Sequence, residues 1–252
     1  MHHIASDTTS FEDLAAAFRY AANRVSELGQ RFGFSVRGYD DATLPHFSAL
    51  SLLERQKVVH ALQGYLHSLE AGIRADKNLD QPHVSTWWAF SSLSLVPVAD
   101  LFRHFQKDSV IEVFNLEGRQ IWRNFHFFRY SSYTLEEMHC LEWPVLYDRG
   151  DAVTAQVHEY LERLIGGGPE LVLPTLPEYV LLEKCSRDRM MIKVRHYLLS
   201  ALKDRDGNLQ AWIVCTKARD LAHGAKDLPP MNYEPRAGLR GRLSLVPPPE
   251  EI

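Results

Sequence analysis

Three cysteines are spread over 252 residues, at Cys140, Cys185 and Cys215. An odd, widely spaced set builds no disulfide framework and has no zinc-like pairing, so a reducing, cytoplasmic setting is expected. Long apolar runs are missing: none approaches the ~18–20 residues needed to span a bilayer. The opening Met-His-His-Ile-Ala-Ser-Asp has no basic region leading into an apolar stretch, so no secretory signal is read there. A basic surplus is missing as well. The formal net charge is −4, the wrong sign for a general nucleic-acid binder. Catalytic signatures do not occur either: no Gly-x-Ser-x-Gly elbow, no Walker loop, no His-Glu-x-x-His, no Gly-Gly-Asp-Glu-Phe cyclase run and no kinase ATP-binding motif. The one glycine run, Gly166-Gly167-Gly168, closes a helix and is not followed by Lys-Ser/Thr, so it is no phosphate loop. What is left is a non-catalytic protein, with an enzyme of unrecognised type as the alternative.

What is present is an ordinary apolar content of 45%, in a chain long enough for one large or two small domains. Residues 1–10 read as a disordered leader. From Phe11 the apolar positions Leu14, Phe18, Ala22, Val25, Leu28 and Phe32 keep a helical period, with Ser10 placed to cap it. A loop over 35–46 leads to a second amphipathic helix over 51–75, with Leu53, Val58, Leu62, Tyr65, Leu66 and Leu69 on one side. Residues 84–105 read as two helical pieces broken at Pro97. Residues 11–107 are thus expected to be all helical, as a bundle or as dimerisation and output helices. A helix-turn-helix DNA reader is poorly supported, because the stretch 54–69 carries only Arg55, Lys57 and two histidines for phosphate contacts.

The pattern changes at 108. A strand over Val110–Asn115 runs into the turn Leu116-Glu117-Gly118-Arg119, and a second strand over 119–122 pairs back as a hairpin. Asn124, an aromatic run and Tyr133 follow, and Thr134-Leu135-Glu136-Glu137 has the form of a capping box. A helix is expected over Asp151–Ile165, with Val153, Val157, Tyr160, Leu161 and Leu164 as its inner stripe. Three strands complete the set, over 178–185, 191–203 and 209–216, the last two joined by the turn 204–208.

Taken in order, Asn115, Gly118, Asn124, Tyr133, Thr134-Leu135-Glu136-Glu137-Met138 and the terminal Arg219-Asp220-Leu221 resemble the PAS sensor family. Two positions depart from the pattern. Ser132 stands where a glycine usually precedes the Tyr, and the glycine usual after the second helix is replaced near His139-Cys140. The resemblance covers about 108–221. It implies an α+β fold: a five-stranded antiparallel sheet with short helices on one face, here preceded by the all-helical segment. Residues 222–252 read as a disordered Pro/Gly/Arg tail, with no output module following the sensor.

The resemblance directs attention to a cavity between the sheet and the connecting helix. Strand alternation over 191–203 puts Ile192, Val194, His196, Leu198 and Ser200 inward and Lys193, Arg195, Tyr197 and Lys203 outward. Val194, His196, Leu198 and Ser200, with Phe125, Phe128 and Tyr133 from the aromatic run and Val157 and Leu161 from the helix, make the candidate ligand-binding set. His196 has two readings, a satisfied core histidine or a group that orients a ligand or binds a metal or haem. The aromatic run likewise reads as core or as pocket lining. His158 is the second histidine to weigh, because haem-binding PAS oxygen sensors carry their axial histidine on this helix before a Tyr-Leu pair. Here His158-Glu159-Tyr160-Leu161 is offset by about one residue, a turn of roughly 100°. The light-sensing subfamily's Asn-Cys-Arg-Phe-Leu-Gln run does not occur. No cofactor and no metal are therefore expected, with haem on His158 or His196 as the alternative.

On the outer face Trp212, Val214, Tyr197 and Leu199 are expected to project, and an apolar sheet face must be covered. The N-terminal helices of this chain, or of a partner, are the natural cover. The expected function is signal transduction: a PAS-like domain that senses a small-molecule ligand or docks a signalling protein, as a homodimer through the N-terminal helices or the outer sheet face. Membrane and nucleic acid are not expected partners. The alternatives are a haem-binding gas or redox sensor and a PAS-containing transcriptional regulator.

Overall fold

The computed structural model describes residues 10–220. The expected leader, Ser10 apart, and the Pro/Gly/Arg tail lie outside the described residues. The chain is α+β: helices first, then a sheet whose paired strands are all antiparallel.

Helix α1, Phe11–Arg31, starts where Ser10 caps it. The Ser10 side chain accepts from the Asp13 amide and the Asp13 carboxylate accepts from the Ser10 amide. Its stripe of Leu14, Phe18, Ala22, Val25 and Leu28 is buried as the period requires. A short turn of helix, α2 (Pro45–Ser48), precedes α3 (Leu52–Arg74), which Ser51 and Glu54 cap in the same reciprocal way. Leu53, expected on the inner side of α3, is 63% exposed. It sits in the first turn, before the helix reaches its neighbours.

The stretch around Pro97 departs from expectation. Helix α4, Pro82–Leu93, ends at Ser94, which adopts a left-handed φ of 55°. Pro97 lies in a two-residue strand, β1 (Val96–Pro97), paired with residues 202 and 203. Proline lacks the N–H a central ladder needs, and this short flanking strand tolerates it. The second expected helical piece is one 3-10 turn, Leu101–His104.

The sheet then builds from β2 (Val110–Asn115), β3 (Gln120–Arg123), β4 (Tyr147–Asp148), β5 (Leu171–Val172), β6 (Tyr179–Glu183), β7 (Met191–Lys203) and β8 (Leu209–Asp220). It has eight strands in place of five. The five expected strands are all there, in the order β3-β2-β8-β7-β6, and the extra ones are the two-residue strands β1, β4 and β5. Between β3 and β6 come a 3-10 helix (Phe125–Arg129), α5 (Leu135–Cys140), α6 (Trp143–Leu146) and α7 (Asp151–Ile165). The capping box at Thr134 and Glu137 forms as the sequence predicts. No helix among the described residues is long and apolar enough to cross a membrane.

The pairing of β7 with β8 shifts register between His196 and Leu198, so Tyr197 is bulged out. An extra residue in one strand moves everything beyond it to the opposite face. Before the bulge Ile192, Val194 and His196 point inward as expected. After it, Leu198 and Ser200 pair with Cys215 and Ile213 on the outer face, while Leu199 and Ala201 pair with Val214 and Trp212 on the inner face. The expected orientations of Leu198, Ser200, Leu199, Trp212 and Val214 are all reversed.

The true outer face carries Ile111, Val113, Leu198, Leu202, Ala211, Ile213 and Cys215, all buried. They share one core with Leu62 of α3, Phe90 of α4 and Leu101. The cover is therefore the chain's own N-terminal helices, α4 packing on β2 and α3 on β3.

The two segments are also joined by polar contacts. The Leu135 and Glu136 amides donate to the Arg37 and Gly38 carbonyls at 2.8 and 3.0 Å. The Glu136 carboxylate accepts from the His46 and Phe47 amides at 2.8 and 3.1 Å, supplying the cap that α2 lacks on its own side. Glu136→Ala should therefore destabilise the whole protein by about 1–3 kcal/mol, the cost of leaving buried amides unpaired. Glu136→Gln, which keeps an acceptor, should cost less. Urea denaturation of both variants checks this, and equal losses would contradict the capping role.

Candidate functional site: a cavity on the inner sheet face

Alternation on the three central strands places Val110, Glu112 and Phe114 of β2, Trp212, Val214, Thr216 and Ala218 of β8, and Ile192, Val194 and His196 of β7 on one surface. Phe114 and Trp212 are directly paired across the strands and stack at 4.2 Å with an interplanar angle of 10°. Val157 of α7, Trp143 of α6 and Phe127 and Tyr130 of the 3-10 region close over this surface. Between them lies a cavity of about 60 Å³. That is room for a few waters, at roughly 10–15 Å³ each, or for a molecule of a few heavy atoms. It is well below the ~300–1,000 Å³ typical of pockets for drug-sized ligands.

Of the expected ligand-binding set, His196, Val194 and Val157 line this cavity. The others do not. Leu198 and Ser200 were carried to the outer side by the bulge, and the Ser200 hydroxyl donates to the Glu170 carbonyl at 2.9 Å. Phe125 stacks on Phe32 and Phe34 against the N-terminal segment. Phe128 packs edge-on against Phe127, one shell away. Leu161 is buried between α7 and the sheet without reaching the cavity. The Tyr133 hydroxyl donates to the Leu146 carbonyl and accepts from the Lys184 amide, which is a structural tie.

His196 is buried, with Nδ1 at 2.7 Å from the Thr216 hydroxyl and its ring edge-on to Tyr179. Burial, helped by the nearby Arg149 charge, pushes its pKa down to about 3, so the ring is neutral. His158 is half-buried on α7, with its ring 5.2 Å from that of Trp143, and does not line the cavity. Haem does not fit these residues: the macrocycle is far larger than the cavity that His196 lines, and His158 does not line it. Among the described residues no cluster of His, Cys, Asp or Glu could hold a metal ion.

The residues that carry the site's chemistry are others. Glu112 and Arg149 both line the cavity, and Arg123 is the cross-strand partner of Glu112. Burial pushes the Glu112 carboxyl up to about 7 against the opposing pull of Arg123 and Arg149. It also lowers Arg149, and brings Arg123 down to about 10. The Gln120 amide nitrogen donates to Glu112, while its carbonyl oxygen has no partner. Nε of Arg149, whose guanidinium lies 4.2 Å over the Trp143 ring, and Nε1 of Trp143 are likewise buried without partners. Such atoms are uncommon in folded proteins, where buried polar groups are nearly always paired. Glu112 and Gln120 sit on strands whose alternation is plain in the sequence. Nothing in the sequence brings Arg149, in the loop before α7, to them.

No family model matches this chain, and no curated protein matches it. Among solved structures it is similar to "The light state structure of the blue-light photoreceptor Aureochrome1 LOV", at 13% identity over 46% of this chain and 88% of that chain, with a TM-score of 0.28. A likeness at that level carries no argument about what this chain does.

The His196 environment makes stability depend on pH. The folded pKa of about 3 lies below the ordinary 6.5, so on acidification the unfolded chain takes up a proton that the folded chain refuses. This contribution is full above about 6.5 and is lost progressively as pH falls toward 3. His196→Leu should therefore be less stable than the parent at pH 8, where Thr216 loses its partner, and recover relative to it at pH 4.5. Urea denaturation at the two pH values reads the difference, and a gap independent of pH would contradict it.

Proposed function

We propose that this chain is a non-catalytic, PAS-type regulatory module that senses a small ligand in its inner cavity and passes the signal to its N-terminal helices. The order of elements supports the PAS reading: an opening hairpin, short helices, a capped short helix, a connecting helix, and three strands that complete the sheet. The observation that carries the sensing role is the cavity itself, whose wall sets Glu112, Arg149, Gln120, His196 and Thr216 among apolar side chains.

The output route follows from the packing. β2 and residues 211–215 of β8 are buried on both faces, with the cavity on one side and the N-terminal helical segment on the other. Close-packed interiors transmit small displacements, so a guest on the inner face would bias the helices opposite. Their outer surface exposes Tyr20, Leu53 and Trp87, where a second copy or a signalling protein would dock. A cytoplasmic setting belongs to the same proposal and rests on the three free cysteines. The small size of the cavity favours a second reading, a docking module with a nearly filled core.

A thermal-shift screen of small molecules on the full chain, with native mass spectrometry of the same sample, separates the two. Ligands that raise Tm should lose their effect in Val194→Phe, which fills the cavity at an overpacking cost of about 1–3 kcal/mol. They should keep it in Arg195→Ala, on the exposed side of the same strand. No shift from any compound and no co-purified small molecule would leave the docking module.

A further inference from the structure

We propose that the outer face of β7 and β8, at the end of the sheet that the helices leave bare, docks an acidic peptide segment of a protein partner. Residues 198–202 of β7 and 211–215 of β8 are buried, and this burial does not extend past the bulge on the outer face. Upstream of it, alternation turns Lys193 and Arg195 away from the cavity that Val194 and His196 line. The register sets Lys193 against Arg219 and Arg195 against Lys217, so two like-charged pairs lie side by side across the strands. Arg195 and Arg219 are exposed, and Lys193 and Lys217 are half-buried. Like charges directly opposite one another destabilise a sheet. Glu178 offsets part of this, reaching Lys193 at 3.0 Å and Arg219 at 3.1 Å. Arg195 and Lys217 form no ion pair among the described residues. Four cations thus share one carboxylate, in a chain whose formal net charge is −4.

The dimensions of the patch decide which anion it suits. Side chains two apart on a strand repeat at about 6.6 Å, and directly opposed neighbours lie about 4.5–5.5 Å apart. Carboxylates at alternate positions of an extended peptide repeat at the same spacing as Lys193 and Arg195, or Lys217 and Arg219. The footprint is that of a few residues, and the negative charge of the chain as a whole repels a long polyanion such as a nucleic acid. Bases would also need aromatic rings to stack on. The neighbours on β6 are Glu178 and the 41% exposed Val180, which is paired with Lys193. Tyr197, next along β7, has its hydroxyl tied to Ser109. Val180 adds a small apolar contact beside the charges, which a peptide side chain can use.

The test is fluorescence anisotropy of the full chain with a labelled peptide of Glu-Ser repeats, against the same peptide carrying Gln for every Glu. The acidic peptide should bind saturably and weaken as salt is added, and the Gln peptide should not bind. Lys217→Glu should weaken the binding by about tenfold or more. The same variant turns the cross-strand contact with Arg195 into an attraction, so its Tm should rise above that of the parent. Arg205→Glu makes the same change of net charge in the exposed 204–208 turn and should leave the binding intact. Equal losses in the two variants, or no loss in Lys217→Glu, overturn the assignment. Binding of a single-stranded oligonucleotide or of phosphatidylserine vesicles that Lys217→Glu abolishes, with no binding of the acidic peptide, overturns it in favour of those partners. If no probe binds, the docking face falls.

Discussion

Across β2, residues 198–202 of β7 and residues 211–215 of β8 the sheet is buried on both faces, and the rest of the molecule is arranged around that constraint. A strand in this position cannot leave a polar face to water, so each surface requires its own cover. On one side α3 and α4 supply it, and on the other α6, α7 and the 3-10 region do. The bulge at Tyr197 makes this possible in a strand as long as β7. It lets residues 192–196 serve the cavity while Leu199 and Ala201 meet α7's buried surface and Leu198 and Leu202 meet the helical segment. Tyr197, displaced from the ladder, bonds to Ser109 ahead of β2, so the irregularity is itself tied down.

Two carboxylates in this fold have opposite character, Glu183 fully buried and Glu112 partly so. Glu183 accepts from the Ser131, Ser132 and Ser186 hydroxyls and from the Ser132 and Met190 amides. It organises the loops at the end of β6, and every lone pair has an obvious use. Glu112 receives one side-chain donor, from Gln120, and otherwise relies on the fields of Arg123 and Arg149. A charged group even partly buried with so little compensation costs stability.

The helical segment and the sheet are a single packed unit in consequence. The hydrophobic core runs from Phe18 through Leu62 and Phe90 to Ile111 and Ile213 without a break. Glu136 caps α2 across the junction and Arg119 pairs with Glu54 at 2.9 Å. A boundary near residue 108 is real as a change of secondary structure but not as a gap in packing.

Local chemistry was enough to place most elements. The hydroxyl–carboxylate pairs Ser10/Asp13, Ser51/Glu54 and Thr134/Glu137 mark three helix starts, and the bounds of β2, β7 and α7 follow from periodicity and flanking turns. Those signals act over a few residues and need no partner to be read. The bulge at Tyr197 has no such signal, because a register shift is settled between two strands by what each face must bury. One residue of slip there moved Leu198 and Ser200 out of the candidate site, while Trp212 and Val214 face inward because β8 alternates without a break from Thr216. His196 and Val194, upstream of the slip, and Val157, on a regular helix, kept their places. Glu112 and Arg149 lie far apart along the chain and meet only when α7 closes over the sheet. The sequence by itself determined where helices and strands begin, since capping and alternation are local. Which side chains share the cavity, and which polar atoms are left there without partners, was decided by tertiary packing alone.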